Sequence, residues 1–119
     1  MFFLPIAFLI IGKFAENLAE AFGLKAQKDE LFLMGLFSVL DVILEKPMAE
    51  ALKVVHVAGE ISNALIYRIG VLAPVYDFML QYETANWAEV SRLMLLKNID
   101  MNTVYEAYTS ALKWYRTVR

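Results

Sequence analysis

Residues 31–45, LFLMGLFSVLDVILE, are almost wholly apolar, yet Gly35, Ser38, Asp41 and Glu45 interrupt them at helical spacing. At about 100° per residue these four fall within a sector of roughly 120°. The remaining positions, among them Leu36, Phe37, Leu40, Ile43 and Leu44, are large and apolar. A helix that is apolar round most of its circumference belongs in the middle of a bundle. On its narrow strip Gly35 and Ser38 remove bulk, which lets a second backbone come close. Asp41 and Glu45 mark where the strip nears solvent or a polar partner.

The chain around this helix has 119 residues, which predicts a single domain over 1–119. Apolar residues make up 60% of it and charged residues 20%. An average soluble domain has roughly 45–50% and 25%. The excess fits a deeply buried helical domain, a membrane protein, or part of a larger protein whose apolar faces meet something else. A net charge of −2 without a basic patch argues against nucleic acid. With no Cys there are no disulfides or thiolate metal sites. The opening MFFLPIAFLIIG is uncharged up to Lys13. That is short of the roughly 20 apolar residues a spanning helix needs, and it lacks the features of a signal peptide. It is therefore expected to be a core helix, with a membrane-associated helical protein as the competing reading.

No segment shows sustained strand alternation, so the expected class is all-α, a compact bundle of six or seven short helices. The first helix is expected from about Pro5 to Phe22, closed by Gly23 in a left-handed cap. Asp29 is the expected cap of the second, which must end near Lys46 because Pro47 disfavours helix before it. Pro47 can open the third. A segment ending at Gly70 follows, then a helix with Pro74 in its first turn. Asn86 and Asp100 are the expected caps of the last two, the final one carrying Lys113, Arg116 and Arg119 near its end.

Candidate chemistry is sparse. Asp41 as a metal or catalytic carboxylate would need converging ligands, and the sequence supplies no second one, so a solvated or hydrogen-bonded role is preferred. His56 is the single histidine; alone it satisfies neither metal nor triad logic, and a loop position is preferred. Glu16 and Glu20 could face a partner, or simply form the wet side of the first helix. The tyrosines and tryptophans could stack a base, but the helical spacing of Tyr105, Tyr108 and Tyr115 favours packing between helices. Neither a phosphate loop, a nucleophile elbow nor a His-Glu-x-x-His motif is present.

The segment GLFSVLDVILEKPMAEAL resembles the C-terminal half of an HDOD domain, the HD-related output domain, as found in bacterial EAL–HDOD signalling proteins. The matching positions are Gly35, Leu36, Phe37, Ser38, Val39, Leu40, Asp41, Pro47 and Glu50. Upstream, Lys13, Phe14, Glu16, Leu18 and Ala19 resemble the family's basic-Phe-x-Glu-x-Leu-Ala helix. Downstream, Tyr82, Glu83, Asn86 and Trp87 resemble its Tyr-Glu-x-Gly-Asp-Trp segment, and Tyr108, Ala111 and Trp114 its final helix. Ile11 stands where a second basic residue is usual, and Ala85 where Gly is common.

The resemblance implies a signal-transduction module without catalytic residues, metal or cofactor, working through protein contacts in the cytoplasm. The candidate interaction positions it points to are Phe14, Glu16, Gly35, Ser38, Asp41, Pro47 and Trp87. It also implies that the chain is part of a longer protein, with earlier HDOD helices and an EAL domain as partner. On that view the first helix would lack its native cover and could form a homodimer. The alternative is a degenerate HD-type phosphohydrolase or nucleotide-binding domain with weak residual activity.

Overall fold

A computed structural model describes residues 3–57 and 59–118, with side chains from residue 8 onward. The described residues form eight helices: α1 (Phe3–Asn17), α2 (Lys28–Phe37), α3 (Leu40–Leu44), α4 (Met48–Ala51), α5 (Gly59–Ser62), α6 (Ala73–Glu83), α7 (Trp87–Lys97) and α8 (Met101–Val118). A 3₁₀ turn over Lys25–Gln27 leads into α2, and α5 runs on into a π-helical turn, Asn63–Tyr67. No strand occurs among the described residues. The fold is the expected all-α bundle. Counting α2 and α3 as two pieces of the one predicted helix gives seven rods.

The chain end of α1 tightens before it closes. Leu18 N donates to both Phe14 O (3.1 Å) and Ala15 O (3.2 Å), and Gly23 then takes φ +72°. Leu24 N donates back to Ala19 O at 2.7 Å, and Gly23 N to Glu20 O at 3.1 Å, the paired closure of a Schellman motif. The cap at Gly23 is as expected, although the regular helix stops at Asn17 rather than Phe22.

The second predicted helix is broken. Ser38 Oγ donates to Gly35 O at 2.7 Å and Ser38 N reaches the same carbonyl at 3.3 Å. A hydroxyl that competes for a helix carbonyl tightens and ends the turn. Val39 then leaves helical geometry (φ −107°, ψ 7°), and α3 starts in a new direction. Asp29 lies inside the first turn of α2 instead of capping it; Gln27 holds the cap position without a side-chain bond. Its charge still suits the helix N-terminus. Pro47 is extended (φ −56°, ψ 148°), and its carbonyl accepts from Glu50 N and Ala51 N to start α4. Asp100 caps α8 as expected, its carboxylate accepting from Thr103 N at 2.8 Å. Asn86 precedes α7, but its side chain donates to Gln81 Oε1 at 2.9 Å and caps nothing. The position of Arg119 lies outside the described residues.

The centre of the bundle is α1, not α2. Ile11, Phe14 and Ala15 of α1, and Leu18 and Ala19 just after it, are buried, and α1 meets α2, α6 and α8. Leu31, Met34 and Gly35 face it from α2. The other side of the α2–α3 pair is open: Leu33 is 42% exposed, Val42 56% and Ile43 38%. The enclosed central helix expected over residues 31–45 is thus covered on one side only. From Ile11 onward the first helix, expected to lack its cover, is buried by its own chain. At the crossing described next, glycines on α1 and α2 let the two backbones meet directly. The radius of gyration is 13.7 Å, close to the roughly 13.5 Å of one packed domain of this length.

Candidate interaction site

At the α1–α2 crossing Gly35 meets Gly12. A β-carbon on Gly35 would lie 2.7 Å from Gly12 Cα and 2.8 Å from Ile11 O, so only glycine fits there. The close backbone approach expected from Gly35 is present, and Ser38 secures the turn that follows it. The first helix supplies the rest of the joint. Asn17 Nδ2 donates to Ala107 O on α8 at 2.9 Å. Lys13 Nζ lies 3.0 Å from Glu16 Oε2 and 5.3 Å from the centre of the Trp114 ring, which in turn meets Phe32 edge-on. Glu16 is half-buried and paired with Lys13 on its own helix.

Phe14 is buried and reaches two tyrosines, Tyr82 (5.3 Å between ring centres) on α6 and Tyr108 (5.4 Å) on α8. Tyr82 also stacks with Phe78 and takes Trp87 edge-on at 5.4 Å. Tyr82 is the hub where α1, α6, α7 and α8 meet. Rings at such distances contribute about 0.5–1.5 kcal/mol each beyond their buried area. Burial pushes the Tyr82 hydroxyl above its ordinary pKa, with Tyr108 adding to the effect. Trp87, the first residue of α7, keeps about half its surface open (54%). It is the one residue of this cluster that both joins the core and faces outward.

The other predicted positions do not gather. Asp41 is half-buried, and its carboxylate accepts from Val42 N at 2.9 Å. Pro47 and Glu50 are exposed. His56 is exposed and holds a left-handed backbone (φ 51°) at the end of the turns after α4. Among the described residues no three of His, Cys, Asp and Glu come close enough to share a metal ion. No described helix is long and apolar enough to cross a membrane.

Two features escaped the sequence reading. Glu83 stands at the C-terminal end of α6, where crowding by the protein pushes its carboxyl up to about 7. The residue as a whole is exposed. The other is a set of exposed large apolar groups, led by Leu95 (83% exposed), Leu96 (68%) and Tyr67 (65%). Periodicity along α7 and α8 does not say which leucine faces out.

These observations define an all-helical bundle in which Phe14, Gly35 and Trp87 pack helices together and several large apolar side chains face outward. Compared with curated proteins, the chain is 27% identical over 107 residues to the cyclic di-GMP phosphodiesterase CdgJ of Vibrio cholerae, covering 90% of this chain. It is likewise 27% identical over 106 residues to the uncharacterized protein YuxH of Bacillus subtilis, covering 89%. The chain spans 25% of the length of each of these relatives. No family model and no solved structure matches it.

Proposed function

We propose that this chain is a non-catalytic regulatory domain of the HDOD kind, acting by protein contact inside a cyclic di-GMP-related signalling protein of the cytoplasm. The observation that carries this reading is the use of the motif residues. Phe14, Gly35 and Trp87 pack helices against one another, while Glu16 pairs with Lys13 on its own helix and Ser38 bonds Gly35 O in the turn that ends α2. Support comes also from the relative named for cyclic di-GMP hydrolysis, of which the matched part is a quarter. A domain of that kind takes its partner from the rest of its parent chain, an EAL domain on this reading. Exposed Leu95 and Leu96 suit such a contact, since large apolar groups supply most of the affinity between helical surfaces.

Two measurements test this. The purified chain is assayed for cyclic di-GMP hydrolysis with Mg²⁺ or Mn²⁺, and no turnover above the blank is expected. The adjoining domain of the parent reading frame is then added, and a complex is expected by size-exclusion chromatography, lost in the Leu95→Glu/Leu96→Glu variant. Metal-dependent turnover would favour the degenerate phosphohydrolase instead, and absence of any complex would count against a contact role.

A further inference from the structure

A cleft of about 530 Å³ opens between the loop after the π-helical turn, the start of α6 and the second half of α7. Its apolar wall is built from Phe22, Ile69, Pro74 and Leu93; its polar members are Arg68, Lys97 and Asp77. The volume falls within the roughly 300–1,000 Å³ typical of small-molecule sites. Among the described residues neither Arg68 nor Lys97 carries an ion pair, whereas Lys13 and Arg92 both do. Arg68 is also held in place, its guanidinium 5.0 Å from the centre of the Tyr76 ring. Phe22 is fixed edge-on against Phe78 at 5.6 Å. Asp77 accepts from Gln81 Nε2 on its own helix at 3.5 Å, and with Arg68 and Lys97 against this one carboxylate the cleft carries a net positive charge.

The backbone at the wall is irregular in the same place. The π-helical turn ends in Arg68 at φ +58°, and Gly70 follows at φ +94°. A π-turn and a left-handed non-glycine residue are both unfavourable locally and recur at binding sites. We propose that this cleft binds a small organic anion. The apolar or aromatic body of the ligand lies against Phe22, Pro74 and Leu93, and its acidic group sits between Arg68 and Lys97. Such a ligand touches the end of the π-turn, α6 and α7 together. This inference is independent of the role proposed above, because it needs neither a parent chain nor a protein partner.

The test is a titration of the whole chain followed through its backbone amide NMR shifts. The probes are 2-naphthoate, 2-naphthyl phosphate and the uncharged 2-naphthalenemethanol. Saturable shifts are expected at Ile69, Gly70, Asp77, Leu93 and Lys97 with at least one of the anions, and the neutral alcohol binds about tenfold more weakly or worse. Preference between the two anions tells a carboxylate ligand from a phosphate ligand. Arg68→Asn keeps a residue suited to the left-handed backbone while removing the charge. It and Lys97→Gln should each weaken binding by about tenfold, and Lys53→Gln, a change at an exposed lysine not lining the cleft, should not. Equal binding of the neutral alcohol, shifts scattered over other surfaces, no saturable shift, or full affinity in the folded Arg68→Asn/Lys97→Gln variant that combines the two changes would each overturn the proposal.

Discussion

Gly35 places backbone against backbone, and the atoms a side chain would strike are Gly12 Cα and Ile11 O, neither of which can rotate away. Overpacking of this kind costs about 1–3 kcal/mol, more than the helix propensity an alanine would bring. Gly35→Ala is therefore expected to lower stability by about 1–3 kcal/mol in denaturant unfolding. At Gly12 a β-carbon would meet Phe32 O at 3.0 Å and the flexible Leu36 side chain at 3.1 Å, so Gly12→Ala should cost clearly less. Equal effects would mean that the crossing is not the tight point. Glu83 offers a second test at this scale. Its carboxyl is raised from 4.5 to about 7 by burial. Between those values the folded state holds more protons than the unfolded one, so stability falls as pH rises through that window and levels off above it. Glu83→Gln should flatten this slope between about pH 4.5 and 7 and raise the melting temperature most at the alkaline end.

Four helix ends close in the same way, with a left-handed residue and a backbone bond reaching back five positions. They are at Gly23, Glu45, Ala85 and Asn98, where Leu24, Lys46, Asn86 and Ile99 donate to Ala19, Asp41, Gln81 and Met94. Glycine adopts this conformation freely and asparagine does so readily, whereas alanine and glutamate are disfavoured by their β-carbons. Ala85→Gly relieves that strain and is expected to stabilise the chain by about 0.5–1 kcal/mol, the gain being trimmed by the greater freedom of glycine when unfolded. A fall in melting temperature would show that the turn between α6 and α7 is not held this way. Asp100 works at the other kind of helix end. Its carboxyl lies below the ordinary range because Thr103 N–H donates to it. That stabilisation is present above the unfolded pKa and lost as pH falls through the folded one. Asp100→Ala should lower the melting temperature at pH 7 and have little effect in strong acid. These ends also show what was legible in the sequence. Gly23, Pro47 and Asp100 announce themselves because their effect is local. The closures at Glu45 and Ala85 do not, since nothing in those residue types favours the conformation they adopt. The Phe14–Tyr82–Tyr108 junction depends on contacts distant in sequence, and the break at Ser38, although made by a local bond to Gly35 O, is hidden because a serine inside an apolar helical run does not by itself end a helix. Periodicity found the helices and the apolar positions but could not say that α1, rather than α2, would take the centre.

At the scale of the molecule the question is where the unspent apolar surface lies. The first helix is the expected place; from Ile11 onward Ile11, Phe14, Leu18 and Ala19 are already buried, while the side chains of residues 1–7 in its apolar opening lie outside the described residues. Among the described residues, large apolar groups stay open on other elements, such as Leu95 and Leu96 on α7, Met101 and Tyr105 on α8, and Val42 and Ile43 on α3. Large aliphatic groups at 83% and 68% exposure gain little from the fold they belong to, so replacing them should leave stability within about 0.5 kcal/mol. The same groups lose water contact whenever two surfaces meet, each buried leucine side chain being worth about 1.5–3 kcal/mol. With a net charge of only −2 there is little repulsion between copies to oppose this. The isolated chain is therefore expected to self-associate as its concentration rises, with light scattering giving a mass that grows above that of a monomer. Leu95→Glu/Leu96→Glu should restore the monomer at unchanged melting temperature, whereas Ile11→Glu should unfold the chain. A wild-type chain that stays monomeric at every concentration would show that these leucines do not drive association on their own. Loss of folding in the Leu95→Glu/Leu96→Glu variant would show that they are part of the core after all.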